Sequence, residues 1–222
     1  MKLSQLEQLE MKLKKMKNST LLPLIITLFC ATQTSYANDA VVAKNISANS
    51  LKQLDRSTAG KYGEYSFKYD IDASPDIAVI STEGNKCCAT VATKESTVTC
   101  KIINKGGWYI VWTNYSSACC VNGRREWVKV KDLLKPHETR HKTANENINK
   151  NEAPVTLSVL KAVSKKKCAN SVTEAKKLAK EACEQELADR MNDFRSLCNA
   201  THEAIDTEDV KPTNINACSC NI

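Results

Sequence analysis

One short segment of this chain combines metal-binding and acid–base residues at a spacing that could do chemistry. The segment His137-Glu138-Thr139-Arg140-His141 matches the pattern H-E-x-x-H. Side chains four residues apart share one face of a helix, so His137 and His141 could hold a zinc ion while Glu138 acts as the base. A third ligand would have to come from further along the chain. The candidates are Glu146, Glu152 and His202.

The residues around this motif argue against a zinc site. Lys135, Arg140 and Lys142 place positive charge beside the two histidines. Residues 135–154 contain Ile148 as their one sizeable apolar side chain, and such a stretch cannot bury enough surface to order itself. The sequence therefore predicts a polar linker in which the motif arises by chance. A small zinc metallopeptidase is the alternative.

Other groups that could do chemistry have simpler structural explanations. Asp70 with Asp72, and Asp206 with Glu208, are carboxylate pairs that we expect on solvated loops or strand edges rather than in a catalytic cleft. His202 is expected near the end of a helix, where a cation interacts favourably with the helix dipole. None of these residues is expected to be catalytic.

Aromatic residues near the end of the segment 60–134, which is rich in strand-forming residues, suggest one binding face. Core packing is the default role for such side chains. If Trp112 and Tyr115 point outward, they would form an aromatic surface of the kind that protein-binding sites use. These two residues are the candidate binding face.

The cysteines indicate an oxidised protein. The chain contains 11 cysteines, and Cys30 lies in an N-terminal stretch typical of an export signal. An even number of cysteines behind such a signal indicates a disulfide framework. We expect all the remaining cysteines to form disulfides. They are Cys87, Cys88, Cys100, Cys119, Cys120, Cys168, Cys183, Cys198, Cys218 and Cys220.

Spacing along the predicted elements limits how these cysteines can pair. Cys183 and Cys198 lie on one predicted helix, about 22 Å apart, whereas the Cα atoms of a disulfide lie within about 7 Å of each other. The adjacent cysteines 87–88 and 119–120 are suited to cross-strand bonds with each other. Cys100 is then left to bridge to a cysteine in the C-terminal part of the chain, at residues 155–222. A thiolate metal site is disfavoured, because structural zinc sites space their paired ligands by two to four residues.

The N-terminal residues have the three parts of a secretory signal peptide. Basic residues between Lys12 and Lys17 precede an apolar stretch at 21–31, and Ser35-Tyr36-Ala37 offers small residues where signal peptidase reads them. We therefore expect cleavage after Ala37 and a secreted or periplasmic mature protein with no membrane span. A formal net charge of +7 without a dense basic stripe argues against nucleic acid as a partner.

Residues 60–134 are typical of a β-domain. Short runs rich in Val, Ile, Thr and Tyr are separated by turn residues. The predicted strands are Tyr65–Tyr69, Ile77–Ser81, Ala89–Thr93, Thr97–Ile103, Trp108–Thr113 and Trp127–Val130. Several short strands at this spacing predict a small β-sandwich, either immunoglobulin-like or SH3-like.

Residues 155–222 predict a disulfide-stapled β-α-β module. Val155–Val163 alternates as a strand would, and Ser171-Val172-Thr173-Glu174 is a capping box. Apolar residues then recur every three or four positions as far as Cys198, which indicates a long amphipathic helix that either ends near Ala204 or kinks near Asn192 and Asp193. Residues 216–222 are predicted to return as a second strand.

The expected class is α+β. The predicted segments are a signal peptide (1–37), an N-terminal segment (38–59), the β-sandwich-like domain (60–134), the polar linker (135–154) and the cysteine-rich module (155–222). We expect an exported, non-enzymatic binding or envelope-associated protein, without a cofactor, whose partner is a protein or another cell-envelope ligand. The zinc metallopeptidase is the alternative, and a secreted inhibitor or toxin-like effector is a further one.

Overall fold

The computed structural model describes residues 40–208 and 210–216, which form a mixed α+β structure. Their strands and helices, in chain order, are β1 (Val41–Ile46), α1 (Leu51–Thr58), β2 (Gly63–Asp72), β3 (Pro75–Glu83), β4 (Lys86–Thr93), β5 (Thr99–Trp112), α2 (Val121–Asn151), α3 (Ala153–Lys161), β6 (Ser164–Ala169) and α4 (Val172–Asp206). None of these helices is both long and apolar enough to cross a membrane. The predicted signal peptide, Cys218 and Cys220, and all but the first residue of the predicted last strand lie outside the described residues.

The described strands form two three-stranded sheets. In the first sheet, β5 lies between β1, which is parallel to it, and β2, which is antiparallel. In the second sheet, β4 lies between β3 and β6, and both pairings are antiparallel. Since β6 comes from the predicted C-terminal module, strands of both predicted modules share one sheet.

β5 is longer than the sequence predicts, because its glycines continue the strand instead of ending it. Residues 104–107, which separate the predicted strands Thr97–Ile103 and Trp108–Thr113, lie inside β5. Gly106 has a φ of 90°, and the register of β2 against β5 shifts between Ser66 and Phe67. Glycine adopts this backbone conformation without steric cost, and such an irregularity bends a strand without ending its pairing.

The prediction of a polar linker at 135–154 is wrong. α2 covers most of this segment, and it also covers Trp127–Val130, which we predicted as a strand. The buried residues of α2 recur every three or four positions, which is the period of one helical face. They are Gly123, Trp127, Val130, Leu134, Glu138, His141, Asn145 and Ile148. Three of them are polar, so a search for apolar periodicity does not find this helix.

The segment Val155–Val163 is also helical rather than extended. Most of it forms α3, which begins with Pro154 in its first turn, where the missing N–H has no cost. Leu160 is fully buried, and α3 packs against both α2 and α4. A short apolar run fits the strand period and the helix period almost equally well, so packing decides between them.

α4 confirms the predicted helix start and the single long helix. The Ser171 hydroxyl accepts a hydrogen bond from the backbone N–H of Glu174 at 3.2 Å. The helix continues to Asp206, close to the predicted end at Ala204. One face of it is buried. The buried residues are Ala175, Ala179, Cys183, Leu187, Phe194, Cys198 and His202.

Two hydrophobic clusters meet along α2. The first surrounds β1 and β5 and includes Leu54, Ile110, Trp112, Trp127 and Leu134. The second lies between α4 and the strands and includes Val91, Ile148, Leu160, Leu187 and Phe194. α2 contributes Leu134 to the first cluster and Ile148 to the second. Its buried polar residues therefore lie at the junction of the two clusters.

The predicted aromatic binding face is not formed by Trp112. This side chain is 1% exposed and belongs to the first cluster. Its indole N–H donates a hydrogen bond to the Ala48 carbonyl at 2.9 Å. Tyr115 lies in a short 3₁₀ helix and packs its ring against Trp112, with the ring centroids 6.5 Å apart.

A disulfide between Cys88 and Cys168 joins β4 to β6. The two residues are 80 positions apart in sequence, and closing a loop of that length stabilises the fold by about 4 kcal/mol. We expected Cys100 to bridge the two predicted modules, and Cys88 does so instead. Cys119 and Cys120 are also disulfide-bonded. Within the described part of the chain, four cysteines that we expected in disulfides are free thiols: Cys87, Cys100, Cys183 and Cys198.

Candidate metal centre

All three histidines of the chain converge in one place. His137 and His141 lie one turn apart on α2, within the part that we predicted to be a linker. His202 and Asp206 lie one turn apart at the end of α4. Each pair is spaced by four residues, so each presents its two side chains on one helical face.

Three ligand groups face a common point. One ligand atom from each of His137, His141 and Asp206 lies within 4.8 Å of the other two. Asp206 Oδ1 is 3.5 Å from His137 Nε2 and 3.0 Å from His141 Nε2, and the two Nε2 atoms are 3.4 Å apart. The histidine side chains are 11% and 9% exposed, whereas that of Asp206 is 61% exposed. The cluster is therefore enclosed on the histidine side and open at the carboxylate.

The third ligand group belongs to Asp206, which is not one of the predicted candidates Glu146, Glu152 and His202. Glu146 is exposed and pairs with Lys142 at 3.8 Å, and Glu152 lies at the junction of α2 and α3. His202 packs behind His141. We expected Asp206 on a solvated edge, with no catalytic role.

One feature of the sequence could have identified Asp206 as a candidate ligand. The segment His202-Glu203-Ala204-Ile205-Asp206 repeats the H-E-x-x spacing of residues 137–141 and ends in a carboxylate. Because the buried face of α4 includes His202, the residue one turn later lies on the same side of the helix.

The positive charge of Arg140 is offset at this site. Its guanidinium Nη1 lies 2.5 Å from Glu208 Oε2, in an ion pair that joins α2 to the residues after α4. Arg140 Nη2 is 3.5 Å from His137 Nδ1, at the outer limit for a hydrogen bond. Arg140 is one of the three cations in the sequence that argue against a metal site. In the folded protein its charge is paired with a carboxylate.

Glu138 lies on the buried side of the cluster and is 5% exposed. Burial raises the pKa of its carboxyl to about 7, with further contributions from the negative charges of Asp206 and Glu64. A carboxyl with a pKa near neutrality can accept a proton and release it again. Glu138 is therefore suited to proton transfer.

Gly63, the first residue of β2, leaves the space that the Glu138 carboxyl fills. A methyl group on Gly63 would lie 2.1 Å from Glu138 Oε1 and 2.7 Å from Glu138 Cδ. These distances are far below van der Waals contact. A side chain at position 63 would therefore displace the carboxyl.

His202 forms part of the wall behind His141. Its ring stacks on the His141 ring with centroids 5.1 Å apart and on the Phe67 ring with centroids 4.3 Å apart. Burial, and next the neighbouring His141, lower the pKa of His202 to about 4. Burial also lowers the pKa of His141. Burial therefore favours the neutral form of both rings, and for His141 this is the form that binds a metal ion.

A cleft of about 240 Å³ opens on the cluster, and a second cleft of about 300 Å³ adjoins it. Both are lined by Gly63, His137, Glu138 and Asp206. The first also follows β2 through Glu64, Tyr65 and Phe67. Among the described strands, β2 is at the edge of its sheet. The cleft therefore runs along an edge strand.

The three ligand groups could hold a divalent cation, with Glu138 beside them as a proton acceptor. Two imidazole nitrogens and one carboxylate are the donor set of one class of catalytic zinc site. No protein-family model matches the chain, and searches of the curated proteins and of the solved structures find no match either. The functional interpretation therefore depends on the chemistry of the site itself.

Proposed function

We propose that this protein is a zinc-dependent hydrolase acting on peptide bonds. His137, His141 and Asp206 would hold the metal ion, and Glu138 would act as the general base. The observation that carries the proposal is the convergence of three ligand groups from two helices within 4.8 Å. Asp206 is 65 positions from His141 in sequence, so local sequence alone does not account for their meeting.

The residues present fit zinc in number, type and setting. Catalytic zinc sites use three protein ligands and keep one position open, and the open side of this cluster faces the cleft. The cluster also lies at the C-terminal end of α4, where the helix dipole favours a cation. When bound, a zinc ion would lower the pKa of a water molecule and polarise a substrate carbonyl.

Glu138 would take the proton from the attacking water and return it to the leaving amine. Glu138 lines both clefts together with His137 and Asp206, and it lines the first cleft together with His141 as well. The raised pKa of Glu138 matches this double role, because a base that returns its proton works best near the ambient pH. Burial keeps competing solvent away from the carboxyl.

An extended peptide is the substrate class that the cleft favours. An edge strand offers unpaired backbone N–H and C=O groups, and an extended peptide can pair with them as an added strand. Gly63 and Glu64 of β2 line the cleft in succession, next to Glu138, and β2 is at the edge of its sheet among the described strands. A peptide bound along β2 would therefore pass directly over the ligand groups.

The location of the protein remains a proposal from the sequence. The Cys88–Cys168 disulfide supports export to an oxidising compartment.

An immunoglobulin-like or SH3-like arrangement of the strands stays a prediction, as does a non-enzymatic role in binding a protein or envelope ligand. Neither a binding protein nor an inhibitor requires the convergence of His137, His141, Asp206 and Glu138.

The first test is the metal content and peptidase activity of the full chain. We expect about one zinc ion per chain in native mass spectrometry, and cleavage of an unfolded protein substrate that a chelator stops and added zinc restores. A protein that binds no zinc would overturn the proposal. Bound zinc without cleavage of any peptide in a mixed library would overturn the proposal that the protein is a hydrolase and would favour a binding role.

Replacing Gly63 by alanine tests whether the position of the Glu138 carboxyl matters. The new methyl group would displace the carboxyl, because its three nearest atoms all belong to the Glu138 side chain. We expect zinc binding to be unchanged and kcat to fall about 100-fold, because a misplacement near 1 Å can cost that much. The measurement is the rate of peptide cleavage by the zinc-loaded variant.

A double variant provides the control for this experiment. If Gly63→Ala acts through Glu138, adding it to Glu138→Gln should cause little further loss of rate, because contacting residues are not additive. Full additivity of the two losses would show that position 63 acts in another way, for example on peptide binding.

A further inference from the structure

A chain of hydrogen bonds extends from His141 into the protein. His141 Nδ1 lies 2.8 Å from His202 Nδ1, and His202 Nε2 lies 2.8 Å from Asn145 Oδ1. Asn145 Nδ2 then donates to Asn104 Oδ1 at 2.9 Å. His141, His202 and Asn145 are 7%, 7% and 0% exposed. The chain is therefore shielded from water over most of its length.

The donor and acceptor roles along this hydrogen-bond chain follow from its inner end, at Asn145. Since Asn145 donates through Nδ2, its Oδ1 is the acceptor that faces His202 Nε2. His202 therefore carries its hydrogen on Nε2, and its Nδ1 has a lone pair. His141 must then donate through Nδ1, which leaves the lone pair of His141 on Nε2.

His141 Nε2 is the atom that faces the other two ligand groups. It lies 3.0 Å from Asp206 Oδ1 and 3.4 Å from His137 Nε2. A histidine binds a metal through an unprotonated nitrogen, and the hydrogen bond of the other nitrogen sets which one that is. With its hydrogen on Nδ1, His141 directs the lone pair of Nε2 at the other two ligand groups.

Stacking fixes the ring planes along the chain. The His202 ring lies between Phe67 and His141, with interplanar angles of 19° and 17°. The His141 ring is also stacked on Tyr65, at 10°. Hydrogen bonds set the tautomers, and the stacked aromatic rings of β2 limit rotation.

We propose that His202 is a positioning residue that holds His141 in the Nδ1–H tautomer and so prepares His141 Nε2 to bind the metal ion. Asn145 and Asn104 fix the direction of the chain. This inference rests on the proposed zinc site and assigns a role to the third histidine. The usual partner of a metal-binding histidine is a carboxylate, a backbone carbonyl or water, and here it is a neutral imidazole.

The first test compares zinc affinity in two variants of His202, measured by competition with a chromophoric chelator. His202→Phe keeps an aromatic ring between Phe67 and His141 but removes the acceptor, and we expect the zinc Kd to rise about 10- to 100-fold. His202→Asn places an amide oxygen near the position of Nδ1, so we expect it to recover most of that loss. Leu187→Ala on the same helix should lower the Tm without changing the zinc Kd.

Asn145→Asp tests the direction of the chain. A carboxylate can accept from His202 Nε2 but cannot donate to it, so we expect zinc affinity to be kept or increased. If the chain runs in the opposite direction, Asn145 is the donor to His202 and the aspartate would weaken zinc binding. That result would overturn the inference.

A spectroscopic readout separates a tautomer effect from a general structural one. Only three histidines are present, so ¹⁵N-histidine spectra of the zinc-loaded chain can be assigned. We expect hydrogen on His202 Nε2 and on His141 Nδ1. Wild-type protein without zinc affinity would overturn both this inference and the proposed function. Tight zinc binding that His202→Phe leaves unchanged would overturn the inference alone.

Discussion

Replacement of Asp206 by asparagine is expected to weaken zinc binding about 10²- to 10³-fold. Four-ligand structural zinc sites bind with about 10–16 kcal/mol, so one ligand accounts for about 2.5–4 kcal/mol. Asparagine keeps the shape of the side chain but removes the charge that faces the two histidines. Asp206 Oδ1 lies within 3.5 Å of both Nε2 atoms, so no other described carboxylate is as well placed.

The matched control for this variant lies on the same turn of α4. Glu203 is exposed, and Glu203→Gln also converts one acid to its amide. We expect the zinc Kd of this control to equal that of the wild type. Equal losses in both variants would mean that the net charge of the helix end, not a metal ligand, governs binding.

Thermal unfolding gives an independent readout of the same ligands. A ligand at 1,000 times its Kd stabilises the folded state by about 4 kcal/mol. For a chain of this size that corresponds to a rise in Tm of about 8–16 °C. Zinc should therefore raise the Tm of the wild type and of Glu203→Gln, and it should raise that of Asp206→Asn much less at the same concentration.

Replacement of Glu138 by glutamine should abolish most of the hydrolysis and leave the metal bound. A positioned general base contributes about 10²- to 10⁴-fold to rate, and glutamine cannot accept the proton. The substitution keeps the shape of the side chain against Gly63, so the local packing should persist. The measurements are kcat with a peptide substrate and the zinc content of the purified variant.

Stability against pH provides a second readout for Glu138 in the metal-free protein. Burial raises the pKa of this carboxyl from 4.5 to about 7, so the folded state holds a proton that the unfolded state releases between these values. Stability is therefore lost as the pH rises through this window and stays reduced above it. We expect Glu138→Gln to be more stable than the wild type by at most about 3 kcal/mol at about pH 8, and equally stable at about pH 4.

The two readouts together identify what Glu138 does. Loss of activity with gain of stability above neutral pH indicates a buried acid kept for catalysis. Unchanged activity in Glu138→Gln would remove Glu138 from the mechanism. Loss of zinc together with activity would instead make Glu138 part of the metal site.

The sequence alone predicts several elements correctly, because their signals are local. The alternating residues of β2 and the capping serine at 171 specify a strand and a helix start through neighbours within four positions. The H-E-x-x-H motif also places His137, Glu138 and His141 at a spacing that suits zinc. These features need no information about distant residues.

The helical state of α2 and α3 could not be predicted in the same way. Apolar periodicity identifies a helix only where its buried face is apolar, and α2 buries Glu138, His141 and Asn145 at the helical period. Polar side chains can be buried there because other elements supply partners for them, such as His202 and Asn104. The partners are unknown until the chain is folded.

The proposed metal centre depends most on the tertiary structure. In the sequence, His141 and Asp206 are separated by 65 positions, and Asp206 looks like one of several surface acids. Packing of α4 beside α2 brings Asp206 Oδ1 to 3.0 Å from His141 Nε2. Sequence determines which ligand groups exist and which share a helical face. Only the packing of distant elements determines which of them meet, because side-chain atoms coordinate a metal through space and not along the chain.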